Sequence, residues 1–245
     1  IIAATVARWK RVFAFDSPLV VCAMPSAVDI ALAIPACRRV YYCMDDFATL
    51  PGVDWHMVEP LEAELLRSVD RIIVTSDVLA SLDRFRNRDV AVLPHGVDFD
   101  LFSKAQSGPD QQIARSVEHL PRPLIGFAGL LDDRIDIELL GRVAELGGLL
   151  LVGEASSDVR HLAASPGVLA VGYVPHREVP RYLAACDVLV APYRFGNVTR
   201  AIQPLKIREY LATGKPVVAS ALPALQSLEP VVELAVNDDA FLVAV

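Results

Sequence analysis

The sequence predicts an α/β protein made of two Rossmann-like domains, each a doubly wound parallel sheet covered by helices. Three observations carry this. Short, β-branched apolar runs such as RIIV and LLLV alternate along the chain with helical segments, as in a parallel sheet buried on both faces. The alternation stops once, at the polar stretch KAQSGPDQQIARSVEHLP, and then restarts. Finally, 245 residues with 53% hydrophobic and 22% charged content supply a large apolar core and exclude wholesale disorder. The expected division is an incomplete N-terminal domain over 1–103, a linker or hinge over 104–121 and a second domain over 122–245.

The elements follow in order. IIAATVARWKRVFAF reads as a helix with Arg8, Lys10 and Arg11 clustered beside Trp9. DSPLVVCAMP is a turn into a strand, and RRVYYCM is the next strand, ending at Asp45 and Asp46. LEAELLRSV is a helix, and DRIIVTS is a strand that ends in small hydroxylated residues. SDVLASLDRF is a helix with Ser76 or Asp77 placed to cap it, and RDVAVLPHG is a strand. After the polar stretch, PLIGFAGLLDD is strand then loop, IELLGRVAELG helix, LLLVGEAS strand then loop, and VLAVGYV strand. PHREVPRYLAAC is helix and DVLVAPY strand. A helix opening at Pro204 leads to the strand of KPVVAS, then EPVVELAV reads as a strand and NDDAFLVAV as the start of a helix. No internal repeat or low-complexity run interrupts the pattern.

Charge and cysteine usage exclude several function classes. Lys and Arg number 23 against 30 Asp and Glu, a net −7 with no basic block, so general nucleic-acid binding is not expected and any anion site is local. Cys22, Cys37, Cys43 and Cys186 show neither CxxC pairing nor metal-ligand spacing, which suits reduced thiols and a cytoplasmic setting. The apolar run PLVVCAMPSAVDIALAIPA contains Asp29 and is broken by Pro18, Pro25 and Pro35, so it is not read as a membrane span. The first residues lack the order of charged, apolar and small regions that a signal peptide has. The Arg8–Arg11 face with Trp9 suits a helix resting on anionic lipid at the inner membrane face, but such a face is more often an ordinary solvated one.

In open parallel sheets, ligands bind beyond the carboxyl ends of the strands, where helix N-termini point. The loops at those ends hold Asp45, Asp46, Ser76, His95 and Gly96 in the first half. In the second half they hold Gly129, Gly153, Gly172 to His176, and Tyr193 to Thr199. Two facing domains would bring them to one cleft. The segment PLKIREYLATGKPVVAS packs Lys206, Arg208 and Glu209 into a helix start. A helix N-terminus with free N–H groups and a lysine in its first turn suits an anion.

These residues resemble a known family. LPHGVDFDLF (93–102) is similar to the signature that closes the N-terminal domain of GT-B glycosyltransferases, and DRIIVTSDVLASL (70–82) resembles the segment before it. LVGEAS, VGYVPHREVPRYLAACDVLVAPY and LKIREYLATGKPVVAS resemble, in order and spacing, the donor-binding half of the retaining, group 1 (GT4-like) branch. The likeness covers about residues 38 to 240. It implies a metal-independent, retaining hexosyltransferase that uses a nucleotide-diphosphate sugar as co-substrate, with no other cofactor. The acceptor would be a glycan or lipid-linked glycan.

The resemblance also implies roles. Lys206 would stabilise the departing diphosphate. Arg134 would be a second cation there, or else the ion-pair partner of Asp132, Asp133 or Asp136. Glu209 would accept both ribose hydroxyls, or instead pair with Lys206 at i,i+3. Gly129 and Gly153 would line the donor site. The turn Gly172–Tyr173–Val174 would read the base, with Tyr173 either stacking or simply packing. Asn197 and Thr199 would bond the sugar or diphosphate, or belong to a plain connector. On the acceptor side stand Asp45, Asp46, Ser76, His95 and Gly96. Asp46 is the candidate for positioning the acceptor, and the alternative for both aspartates is a turn or cap. No general base is assigned.

Two departures from the family pattern accompany this. The first of a glutamate pair spaced eight apart falls on Ala201. The chain also lacks the opening strand with its glycine-rich loop and the closing helix, as in a piece of a longer protein. A catalytically inactive donor-binding protein and a sugar-nucleotide epimerase are the competing readings.

Overall fold

The structure is a computed structural model that describes residues 2–14, 17–36, 38–50, 52–155, 159–200 and 202–245. The chain forms two compact units, Ile1–His95 with Ala201–Gln203, and Gly96–Arg200 with Pro204–Val245. Each has its own parallel sheet.

In the first unit the strands are β1 (Leu19–Cys22), β2 (Arg38–Cys43), β3 (Arg71–Val74) and β4 (Val90–Val92), ordered β1-β2-β3-β4 and all parallel. The helices Val28–Ala33 and Trp55–Ser68 cover it, and Tyr41, Cys43, Leu65, Val74, Leu79 and Phe85 fill the core. The longer helix starts where Asp54 accepts from the His56 N–H. Ser76 caps the helix Asp77–Ala80 by accepting from the Leu79 N–H at 3.2 Å. The helix Ile2–Val12 leaves Trp9 and Val12 exposed, and Phe13 just beyond it. Among the described residues no helix is long and apolar enough to cross a membrane.

The second unit has β5 (Leu124–Ala128), β6 (Gly148–Val152), β7 (Val168–Gly172), β8 (Val188–Ala191), β9 (Val217–Ser220) and β10 (Glu233–Ala235). Their order is β10-β9-β8-β5-β6-β7, all parallel. Every residue of β5, β6, β8 and β9 is buried, which is why these runs are apolar throughout rather than alternating. The strand order reverses between β5 and β8. At such a switch point the connections leave in opposite directions and open a crevice at the carboxyl edge.

The polar stretch 104–121 differs from the expected connector. Asp110 caps the helix Gln111–Val117, and Ile113, Val117 and Leu120 are buried in the second core. Those three lie at helical spacing on one face, so the polar average hides an amphipathic pattern. Helix starts also shift slightly. Pro204 has extended ψ and precedes the helix Leu205–Ala212 rather than opening it.

Candidate functional site

Three glycines end three neighbouring strands at the crevice of the second unit. Gly129, Gly153 and Gly172 have φ of +136°, +134° and +77°, a region that L side chains rarely adopt. The loops zip together: the Gly129 N–H donates to Val152 O and the Gly153 N–H to Gly172 O, both at 2.8 Å. A Cβ on Gly153 would lie 2.1 Å from Gly129 O, and one on Gly129 would lie 2.6 Å from Lys206 Nζ. Only glycine lets the two loops and the lysine approach so closely.

The helix Leu205–Ala212 is anchored against this edge by Tyr210. Its hydroxyl accepts from the Ala128 N–H at 2.7 Å and donates to Ala128 O at 3.1 Å, fixing the helix to the end of β5. The first helical turn then carries Lys206 over the Phe127 ring, with Nζ 4.0 Å from its centroid and 5.4 Å from that of Tyr193. Among the described residues no side chain caps this N-terminus. Burial, and next the positive Arg134, push the Lys206 ammonium down to about 7. A cation held in a half-buried, aromatic-walled position at a helix N-terminus suits an anion.

The cavity these elements enclose holds about 420 Å³ and is lined by Gly129, Gly153, Tyr173, His176, Lys206 and Glu209, among others. Tyr173 is 70% exposed on the rim, so it does not pack as a core residue; a free aromatic face there can stack on a flat ligand. Val174 lines the same wall. Glu209 faces His176, Oε1 to Nε2 at 2.7 Å, and among the described residues it makes no ion pair with Lys206.

Other candidates stand elsewhere. Arg134 grips Asp132 through Nε at 2.9 and 3.0 Å and also through Nη2, the pairing that was its alternative reading. Its backbone carbonyl accepts from the Arg194 N–H. Thr199 is buried, and its hydroxyl lies 2.6 Å from Arg194 O and 3.2 Å from Gly196 O, tying its own loop. The side chain of Asn197 and the position of Ala201 lie outside the described residues.

In the first unit, Asp46 is nearly buried and takes an ion pair from Arg84 Nη2 at 2.8 Å. Arg84 Nε lies 3.0 Å from Glu62 Oε2, and Tyr41 donates to Glu62 Oε1 at 2.5 Å. Asp45 O accepts from the Cys43 thiol. The His95 N–H donates to Gln203 Oε1 at 2.9 Å, and Gly96 begins the second unit. Cys22, Cys43 and Cys186 are buried free thiols; Cys37 lies outside the described residues.

Sequence reasoning gave no role to His176 or Tyr210. Tyr210 sits four residues after Lys206, so its helical phase could have placed it beneath the lysine. His176 is 33 residues from Glu209, and no local spacing joins them.

Residues 123–244 match the family described as "Glycosyl transferases group 1". The Bacillus subtilis (strain 168) protein TuaH, named for glycosyl transfer in teichuronic acid biosynthesis, is 29% identical over 185 residues, covering 71% of this chain and 46% of TuaH. The chain therefore spans just under half of that relative's length. Sucrose-phosphate synthase of Thermosynechococcus elongatus superposes with TM-score 0.73 at 21% identity, over 99% of this chain and 66% of that one. The UDP-forming α,α-trehalose-phosphate synthase of Burkholderia xenovorans, solved with glucose-6-phosphate, superposes at 0.66 and 15%, over 99% and 68%. These two likenesses concern the fold. The match over residues 123–244 makes this part of the second unit a member of the glycosyltransferase group 1 family, in a chain of GT-B fold.

Proposed function

We propose that this chain is the donor-binding and catalytic part of a retaining glycosyltransferase, which moves a hexose from a nucleotide-diphosphate sugar onto a glycan or lipid-linked glycan. In this reading the diphosphate lies against the open N-terminus of Leu205–Ala212, with Lys206 as its cation. The ribose meets Glu209 and the base rests along Gly172–Val174, beside Tyr173. The leaving diphosphate gathers negative charge as the glycosidic bond breaks, and a preorganised ammonium close to it stabilises that charge selectively.

The observation that carries the reading is the placement of Lys206. A half-buried lysine, without an ion-pair partner among the described residues, faces a glycine turn in which a Cβ would meet its Nζ.

Calorimetric titration of UDP, GDP and ADP into the protein and into Lys206→Ala tests this. One nucleotide is expected to bind in the micromolar range. The variant should weaken it by about tenfold to a hundredfold, the worth of a hydrogen bond to a charged group. If no nucleotide binds the folded chain, the donor site is misassigned. If nucleotide binds but intact sugar nucleotide is neither transferred nor hydrolysed, the chain binds donor without catalysis.

A further inference from the structure

Glu209 has a partner that its own helix does not supply. His176 stands at the end of the loop after β7, where it opens the short 3-10 turn His176–Glu178. Its Nε2 lies 2.7 Å from Glu209 Oε1, and its ring lies 5.2 Å from that of Phe102 at an interplanar angle of 59°. Phe102 is fully buried, so the imidazole is backed by a rigid aromatic on one side and held by a carboxylate on the other. The His176 side chain is 62% exposed and Glu209 15%. Both line the cavity.

We propose that His176 is a positioning residue that sets Glu209 for the vicinal hydroxyls of a ribose, a role that rests on the donor-site reading above. A glutamate has three side-chain torsions, and an unheld one loses that freedom when a ligand arrives. His176 removes the freedom in advance. It occupies one lone pair of Oε1, while among the described residues Oε2 has no hydrogen-bond partner. A carboxylate offers about four acceptor sites, so two hydroxyls can still be taken. Whether the imidazole is neutral with its proton on Nε2 or is charged, it donates to the same oxygen. The charged groups nearby on its own turn are engaged elsewhere: Arg181 pairs with both Asp110 and Glu178, and Arg177 also faces Glu178. Lys206 bears on Glu209 from the helix.

The readout is discrimination between ribose and 2′-deoxyribose, measured as the ratio of dissociation constants for UDP, GDP or ADP and the corresponding 2′-deoxy nucleotide. The probe is whichever pair binds the unaltered protein. His176→Ala is expected to lower that ratio by roughly threefold to tenfold, the value of pre-ordering one flexible side chain. His176→Gln, which keeps a donor, should restore most of it, and Glu209→Gln should abolish it. A role in loop stability alone would weaken both nucleotides equally and leave the ratio unchanged. An unchanged ratio in His176→Ala, with the ratio lost in Glu209→Gln, overturns this inference and leaves the donor site standing. Absence of any nucleotide binding to the unaltered protein overturns the donor site itself.

Discussion

Lys206 shows how a single residue acquires its chemistry from what surrounds it. Its ammonium lies over Phe127, close to Tyr193 and without a carboxylate partner among the described residues, so burial lowers its affinity for a proton to about 7. The sign of the consequence follows from linkage. At the proposed donor site a diphosphate would bind the protonated lysine and raise its pKa above the free value, so binding would take up a proton between the two values. Nucleotide affinity is therefore full below pH 7 and falls as pH rises, by up to about tenfold per unit. Titrations from pH 7.5 to 9, in buffers of different ionisation enthalpy, should show weakening affinity with net proton uptake. Affinity independent of pH over that range would mean that the lysine stays charged without ligand. Gly129 belongs to the same arrangement, because its missing Cβ is what lets Nζ occupy that position.

At the scale of elements, the first unit ties the end of β2, the helix Trp55–Ser68 and the turn Asp83–Phe85 with one buried polar network. Arg84 bridges Asp46 and Glu62, stacks over Trp55 and Phe85 with centroids at 5.6 and 5.1 Å, and Glu62 is held in turn by Tyr41. Burial raises the pKa of Glu62, while Tyr41 and Arg84 oppose that shift. Asp46 is thus already engaged, and any part it plays toward an acceptor is exercised through a carboxylate that Arg84 orients. Replacing Arg84 with Ala leaves two acidic groups without their cation, which typically costs about 3–5 kcal/mol. Urea unfolding followed by tryptophan fluorescence, which both tryptophans of the first unit supply, should show a loss of that order. A change below about 1 kcal/mol would mean that water satisfies both carboxylates without the arginine.

For the whole molecule, two sheets with separate cores imply separate responses to ligand. Both tryptophans of the sequence, Trp9 and Trp55, lie in the first unit, whereas every residue of the proposed donor cavity lies in the second. A nucleotide at a hundred times its dissociation constant stabilises the unit that binds it by about 2.7 kcal/mol. Differential scanning calorimetry should therefore show one transition moving up by a few degrees, while the melting reported by tryptophan fluorescence stays in place. A parallel shift of both signals would show that the units unfold as one cooperative body.

The sequence by itself determined the class of fold, because buried parallel strands must be apolar throughout and their helices must alternate with them. It also placed Lys206, Glu209, Gly129, Gly153 and Tyr173 at strand ends or a helix start, since glycine turns and helix openings leave local signatures. In the polar stretch 104–121, average composition conceals an apolar face formed by Ile113, Val117 and Leu120. Asp46 and Arg134 looked available for chemistry in the sequence, yet Arg84 and Asp132 engage them. The Arg134–Asp132 pair is local and was open to view as an alternative; the other partners lie 38 residues from Asp46 and, for Glu209, 33 residues away at His176. Only the tertiary structure decided such pairings. Hydrogen bonds and ion pairs are set by distances of about 3 Å in space, and separation along the chain carries no trace of them.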